Sequence, residues 1–417
     1  MLKYIFFLLF VLVACSTKPT RSPHIVSQVP SVTDKVFTTD FTVLPGWNEQ
    51  KFTDTLPGLL QSCRVMAKRL TWNEICAEAV LLAPDDELSI RHFFESRFVP
   101  WKIKGMVSEE AGLITGYYEP LLKGSTVYSE RTPWPVYGVP DNLLTLDVPV
   151  PFRNQSVLIA RRVGEARLAI VPGVSSPRAG EIIVRTADFP ADGRGTLKGR
   201  LEGNSLVPYY TRAEISRVQG VNVAPVLAWV EDPIELFFMH IQGTGRIQLD
   251  DGRLMRLGYA DNNGHPYQSI GRWLADNGEI PLSKVSMQNI QQWTKKNSHR
   301  LQALLNVNPR YIFFKAADNE EEGPVGALGV PLTDGYSIAV DPAYIPLGTP
   351  VYLVTTWPLS SQPLNRVVHA QDTGSAIRGP GRADLFWGLG SDAGRYAGRM
   401  KQSGSLWMLL PRGIQPS

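Results

Sequence analysis

Apolar positions along this 417-residue chain change their period several times, and the changes divide it into regions. Between Leu59 and Phe98 they recur at helical spacing, as in Leu59, Leu60, Cys63, Met66, Ala67 and Leu70, and again in Leu88, Phe93, Phe94 and Phe98. Residues three and four apart share one face of a helix, so the pattern predicts helices over 59–70 and 73–82 and helical spacing onward to Phe98. From Gly112 to about Trp229 the character changes. Short alternating or apolar runs are broken by Gly and Pro, among them 156–159, 167–171, 181–186 and, just beyond, 225–230 and 236–242. This spacing predicts short strands. Helical periodicity returns from Tyr267 to Leu305, with Ile270, Trp273 and Leu274 on one face, continued by Ile290, Trp293, Leu301, Leu304 and Leu305. Strands are predicted again over 311–315, 336–341, 350–355, 366–371 and 405–410. The expected fold is mainly β with some helices, and no fixed-period repeat runs through it.

The N-terminal residues follow a different logic. Lys3 precedes an apolar run, Tyr4 to Val13, that is too short to span a bilayer, and Leu12-Val13-Ala14-Cys15 then places small residues before a cysteine. Residues 1–15 read as a signal peptide, and Leu-Val-Ala-Cys resembles a bacterial lipobox, which implies lipidation of Cys15. The alternative is an ordinary signal peptide that happens to contain a cysteine. Lipid chains on one residue hold a protein at a membrane without a spanning helix. Ser16 in place of Asp after the cysteine implies the outer membrane of a Gram-negative bacterium, on its periplasmic face. Residues 16–45, rich in Ser, Thr, Pro and Val and lacking periodicity, fit a flexible tether. The rest is long enough for two domains.

Composition excludes more than it suggests. A formal net charge of +3 points to no strongly electrostatic partner, and nucleic acid is not expected. Cys63 and Cys76, the two cysteines besides Cys15, could pair across a short loop or remain small apolar residues, which geometry decides. The six histidines never fall at the i, i+4 spacing of a helical zinc site, and no G-x-S-x-G elbow or phosphate-binding loop occurs. No metal or organic cofactor is expected. Carboxylates accompanied by aromatics and amides remain, the equipment of a carbohydrate site. The densest example is HAQDTGSAIRGPGRADLFWG, His369 to Gly388, where Asp372 and Asp384 stand among glycines and the second precedes Leu385, Phe386 and Trp387.

Several motifs, in order, carry a more specific resemblance. They are Gly116-Tyr117-Tyr118-Glu119-Pro120, Tyr209-Tyr210-Thr211-Arg212-Ala213-Glu214-Ile215, and Asp232-Pro233-Ile234-Glu235-Leu236-Phe237-Phe238 with His240-Ile241-Gln242-Gly243. Tyr259-Ala260, Asn263-Gly264-His265-Pro266-Tyr267, Asn308-Pro309-Arg310-Tyr311, Gly326 to Pro331, Ala339-Val340-Asp341-Pro342 and the stretch around Asp372 and Asp384 follow. Together they resemble the membrane-bound lytic murein transglycosylase A family, over about 300 residues from Gly112 onward. The region from about 141 to 203 stands out as an enlarged insertion, and Thr373 and Ser375 are local departures. The resemblance implies a double-psi β-barrel domain, residues 46–122 and 316–415, with an inserted β-rich glycan-binding domain, 123–315, and a large groove between them. It also implies peptidoglycan glycan strands as substrate, with cell-wall synthesis proteins as candidate partners.

Asp341, Asp372 and Asp384 match the three aspartates of the family's C-terminal "3D" segment, and Asp384 matches its catalytic acid. In this family the 6-hydroxyl of N-acetylmuramic acid attacks its own anomeric carbon, so one carboxyl group can donate a proton and later accept one. A carboxyl that starts protonated needs desolvation, for which Leu385, Phe386 or Trp387 are candidates. Asp372 is expected in a supporting role, or as a turn or buried structural carboxylate, and Asp341 before Pro342 also suits a turn. Tyr118, Gln242, Gly243, Thr244, Asp341, Gly374 and Trp387 are the candidate substrate-binding residues. Gln242 can donate to and accept from sugar groups, and Trp387 could stack on a sugar ring or fill the barrel core. Two alternatives stay open: a two-carboxylate hydrolase using Asp372 and Asp384, and a non-catalytic peptidoglycan-binding lipoprotein.

Overall fold

The computed structural model describes residues 36–105, 111–174, 176–190, 195–217, 224–317, 323–374 and 376–416. Cys15, the 1–15 segment and much of the 16–45 stretch therefore lie outside the described residues, as does Ser375. The chain begins with β1 (Val36–Thr38), then α1 (Leu56–Met66), α2 (Leu70–Ala79) and α3 (Glu87–Arg97), followed by β2 (Phe98–Ile103) and β3 (Gly112–Glu119). Pro57 opens α1 and the Asp86 carboxylate caps α3 by accepting the Ser89 N–H, so both starts are written locally. Helical spacing placed the first helix three residues late and ran it on to Leu70, which instead begins α2. Cys63 in α1 and Cys76 in α2 form a disulfide with their Cα atoms 5.4 Å apart, which settles the question left open by their spacing.

Beyond β3 come β4 (Leu121–Ser125) and β5 (Trp134–Tyr137), then six short strands: β6 (Leu144–Asp147), β7 (Val157–Arg162), β8 (Arg167–Ile170), β9 (Ile182–Arg185), β10 (Thr196–Glu202) and β11 (Ser205–Pro208). These six close on themselves as a small barrel around Leu146, Leu158, Leu168, Val184 and Leu206, and they take up most of the stretch 141–203. Next are α4 (Arg212–Arg217), β12 (Val226–Val230), α5 (Pro233–Gln242), β13 (Gly245–Leu249) and β14 (Leu254–Asn262). The helices α6 (Ile270–Asp276), α7 (Met287–Lys296) and α8 (Leu301–Asn306) lead to β15 (Ile312–Ala316). A six-stranded sheet, in the order β15-β14-β13-β4-β12-β5, carries this part.

The run 236–242, expected as a strand, is helical. Asp232 accepts the N–H groups of Ile234 and Glu235, Pro233 sits in the first turn, and Gly243 ends the helix in the left-handed region at φ 81°. Its apolar residues mislead because α5 is buried on two sides. Leu236 and Met239 pack on the sheet with Val230 and Ile247, while Ile234, Phe237 and Phe238 pack against Ile270, Leu274 and Trp293 of the helices. A helix covered on both faces loses the polar stripe by which a helix is usually read.

The C-terminal part returns to the first sheet through β16 (Ser337–Val340), β17 (Pro350–Thr356), β18 (Pro363–Asp372), β19 (Arg382–Leu389), α9 (Gly390–Ala397) and β20 (Lys401–Pro411). The sheet order is β1-β2-β20-β17-β18-β16-β19-β3, and a further β20–β3 pairing closes β20, β17, β18, β16, β19 and β3 into a six-stranded ring. Ile114, Ile338, Val351, Leu353, Val368, Ala383, Leu385 and Leu406 fill its interior. Neighbours in sequence such as Tyr352, Val367 and Trp407 face outward under Trp47, Phe52, Phe94 and the α1–α3 layer. Strands covered on both faces read as continuous apolar runs, which is why 350–355 and 405–410 are conspicuous in the sequence. Among the described residues no helix is long and apolar enough to cross a membrane.

Candidate active site

The stretch around Asp384 is a strand in the ring, paired in parallel with β3. Asp384 lies opposite Thr115, Leu385 opposite Gly116, and Phe386 opposite Tyr117. Side chains alternate across a strand, so Ala383 and Leu385 enter the barrel while Arg382, Asp384 and Phe386 join Thr115 and Tyr117 on the outer face. The Thr115 hydroxyl donates to Asp384 Oδ1 at 2.5 Å. Arg382 Nη2, which can only donate, gives a hydrogen bond to Thr115 Oγ1 at 2.9 Å, so the threonine accepts from the guanidinium and donates to the carboxyl. Burial pushes Asp384 up to about 6, and the nearby Asp372 charge adds to the rise. The Thr115 hydrogen bond and the Arg382 charge oppose it.

Asp372, at the end of β18, is joined to this face by Tyr117. The phenol donates to Asp372 Oδ2 at 3.0 Å, and the Ala327 N–H donates to Oδ1 at 3.0 Å. Burial raises Asp372 above the ordinary carboxylate range against the Thr373 and Ala327 N–H groups and the Tyr117 hydroxyl. Tyr117 is itself held well above its ordinary range, by burial first and by the two aspartates next, so its hydroxyl keeps its proton and stays a donor. Its ring meets Phe386 with centroids 5.2 Å apart. The two aspartates thus differ: both oxygens of Asp372 accept hydrogen bonds, whereas the Thr115 bond engages only Oδ1 of Asp384.

The remaining predicted residues divide. Gln242, at the end of α5, accepts the Tyr118 N–H on Oε1 at 3.2 Å and brings the second sheet's helix against β3, with Gly243 and Thr244 just beyond. Tyr118 points away from Asp384. Its ring lies under α9, where a Cβ on Gly394 would come within 2.8 Å of it, and its hydroxyl reaches Met287 Sδ. Trp387 also belongs to the opposite face, with its ring 4.9 Å from Tyr396 and 5.2 Å from Trp357. Asp341 accepts the Gly379 and Ala343 N–H groups and so fastens the loop between Asp372 and Asp384, in which Gly374 packs on Ile377.

Thr115 and Arg382 were not foreseen, Phe386 was one of three candidates for desolvating Asp384, and Tyr117 stood only within the Gly116–Pro120 motif. Their roles depend on the parallel register of two strands far apart in the chain. Period-two alternation along Gly112–Glu119 and Arg382–Leu389 gives the two sets of residues but not which set faces out. Among the described residues no group of three His, Cys, Asp or Glu side chains is placed to hold a metal ion.

A closed β-barrel, a β-rich unit inserted between its strands with the end of its α5 against β3, and a buried carboxyl on β19 raised toward neutrality define a two-part, mainly β protein. Residues 113–315 match the MltA specific insert domain and residues 336–410 the 3D domain. The crystal structure of MltA from Neisseria gonorrhoeae is 40% identical, with 92% of each chain covered and a TM-score of 0.80. The chain belongs to the MltA family. The lytic transglycosylase LtgG of Burkholderia pseudomallei is 39% identical, covering 91% of this chain and 96% of that one, with a TM-score of 0.59. Membrane-bound lytic murein transglycosylase A of Escherichia coli (strain K12) is 36% identical over 192 residues, 44% of this chain and 52% of the relative. The matched segment thus spans about half the length of that curated relative.

Proposed function

We propose that this protein is a peptidoglycan lytic transglycosylase that cleaves the β-1,4 bond between N-acetylmuramic acid and N-acetylglucosamine and leaves a 1,6-anhydro-N-acetylmuramic acid end. Asp384 is the single acid and base. Its proton passes to the glycosidic oxygen as the bond to the muramic anomeric carbon breaks. The resulting carboxylate takes the proton of the 6-hydroxyl as that oxygen closes on the same carbon. No water enters and the proton inventory balances. The observation that carries this reading is the contrast between the two aspartates. Asp384 is pushed up to about 6, near the working range of a general acid, while Asp372 has both oxygens engaged by Tyr117 and Ala327 and is poorly placed to activate water. The names of the relatives from Escherichia coli and Burkholderia pseudomallei point the same way.

In this reading residues 46–122 and 316–415 form the catalytic unit and 123–315 the glycan-holding unit, with Gln242, Gly243 and Thr244 at their junction. Lipidation of Cys15 anchors the protein to the periplasmic face of the outer membrane, an inference from the lipobox-like Leu12-Val13-Ala14-Cys15 and supported by the "membrane-bound" name of the relatives. The test is digestion of purified sacculi by the full chain in detergent, with muropeptides weighed before and after borohydride reduction. Products one water lighter than hydrolytic species and inert to borohydride are expected. Reducible products would refute intramolecular attack and restore the two-carboxylate hydrolase. Absence of release together with retained sacculus binding would make the protein a binding module.

A further inference from the structure

Arg212, His240 and Tyr311, which stand in three of the sequence motifs, are not used by the Asp384 site. They converge elsewhere, on a cavity of about 580 Å³ between the second sheet and α4, α5 and α8. None of the residues grouped around Asp384 lines it. Its walls are largely aromatic, with Trp134, Tyr137, Trp229 and Tyr311 prominent, and Arg212 and His240 are its buried polar groups, each 5% exposed.

The hydrogen bonds define what these two groups still lack. Arg212 donates from Nε to the Asn308 carbonyl at 3.2 Å and from Nη2 to the Arg310 carbonyl at 2.7 Å. Its Nη1 lies 3.0 Å from His240 Nδ1. A guanidinium carries only donors, so Nδ1 is the acceptor and the imidazole proton sits on Nε2. That Nε2–H has no acceptor among the described residues and is closed off from solvent, so a ligand in the cavity reaches it only as the lining shifts. Burial holds His240 well below its ordinary range, with the Arg212 charge adding, which keeps the ring neutral in this tautomer. Arg212 lies over the faces of Phe237 and Tyr311, at 4.8 and 4.9 Å, and no carboxylate pairs with it among the described residues. A desolvated cation without a counter-ion, beside an imidazole N–H without an acceptor, is costly unless an anion or strong acceptor completes the set.

We propose that this cavity is a second ligand site, which takes a small organic carboxylate with its acid group on Arg212 and His240 Nε2 and its apolar body against the aromatic walls. Carboxylate rather than phosphate is favoured because the buried polar end offers one guanidinium edge and one N–H, and the lining Ser216 and Gln302 already donate to the Arg212 carbonyl and to Asn306, whereas a dianion would need more donors.

The test is binding of benzoate to the full chain in detergent, measured by calorimetry, with benzamide as the uncharged isostere. N-acetylmuramic acid and N-acetyl-D-alanyl-D-alanine are tested alongside as carboxylates that a cell wall would supply. Benzoate is expected to bind at least tenfold more tightly than benzamide. His240→Phe should remove at least tenfold of that affinity, and His240→Gln, which keeps an N–H donor, should restore part of it. If the Phe variant does not fold, Ser216→Trp serves instead, since Ser216 is an exposed lining residue whose hydroxyl meets only the Arg212 backbone carbonyl, and a tryptophan there blocks the cavity while leaving the guanidinium and imidazole in place. Equal binding of benzoate and benzamide, no binding of either, or unchanged benzoate affinity in Ser216→Trp would each overturn the proposal. Preference between the two wall-derived carboxylates identifies the source.

Discussion

Replacing Asp384 by Asn should stabilise the protein at neutral pH while removing the proposed activity. Burial pushes the Asp384 carboxyl up to about 6, against an ordinary value of 3.8. Holding it ionised in the fold therefore costs about 3 kcal/mol near pH 7.5. The sign follows from proton counting: between 3.8 and about 6 the native chain binds more protons than the unfolded one, so this stability is present at low pH and is lost as pH rises through that window. Asparagine is neutral throughout and can still accept the Thr115 hydroxyl hydrogen bond. Asp384→Asn should accordingly be more stable than the parent by about 3 kcal/mol near pH 7.5 and by only about 1 kcal/mol near pH 4.5. For a chain this long unfolding as a unit, the larger figure corresponds to a midpoint rise of about 4 °C. Buried His369, pushed down to about 4, works in the opposite sense, losing stability as pH falls below its ordinary range, but it is common to both chains and cancels in the difference. Thermal unfolding of both proteins at the two pH values tests the reasoning. A variant no more stable near pH 7.5, or a gap that does not shrink near pH 4.5, would refute a desolvated, proton-holding Asp384.

Three further outcomes are expected. If protonated Asp384 initiates cleavage, kcat/KM for muropeptide release should fall about tenfold per pH unit above roughly pH 6, and a flat profile to pH 8 would exclude it as the acid. Tyr117→Phe removes one of three donors to buried Asp372, and it should lower kcat about tenfold with little change in KM while costing about 1–3 kcal/mol in denaturant unfolding. Replacing Cys63 and Cys76 together by Ala should cost about 3 kcal/mol, as expected for opening a short cross-linked loop, and leave kcat unchanged, since the pair lies in the α1–α2 layer away from β3 and β19.

How much of this was legible in the sequence depended on where each element is covered. Helices packed on one side, such as α1 and α6, announced themselves by their period, and strands buried on both faces by their unbroken apolar runs. The α5 helix did neither, because Leu236 and Phe237 serve different cores, and there the capping residues Asp232, Pro233 and Gly243 were the better guide. The family resemblance rested on ordered motifs and is matched by the insert and 3D domains. Facing was less legible. Trp387 and Tyr118 are one residue from Phe386 and Tyr117, and in a strand one residue is the whole difference between facing the Asp384 site and facing the opposite side of the sheet. Thr115 and Arg382 left no local signal, since their significance arises only when β3 and β19 align.

That alignment has a consequence for the life of the molecule before it is complete. Thr115 and Asp384 are 269 residues apart, and the whole inserted unit is made between them. A chain emerging from its N-terminus presents β3 early, but its partner strand arrives near the end, and closing so long a loop is slow compared with local folding. Under the proposed function, nascent or truncated chains thus carry the glycan-holding unit without the acid that cuts. The order of strands is itself a safety catch, releasing the protein's chemistry only once the last strands have been threaded home.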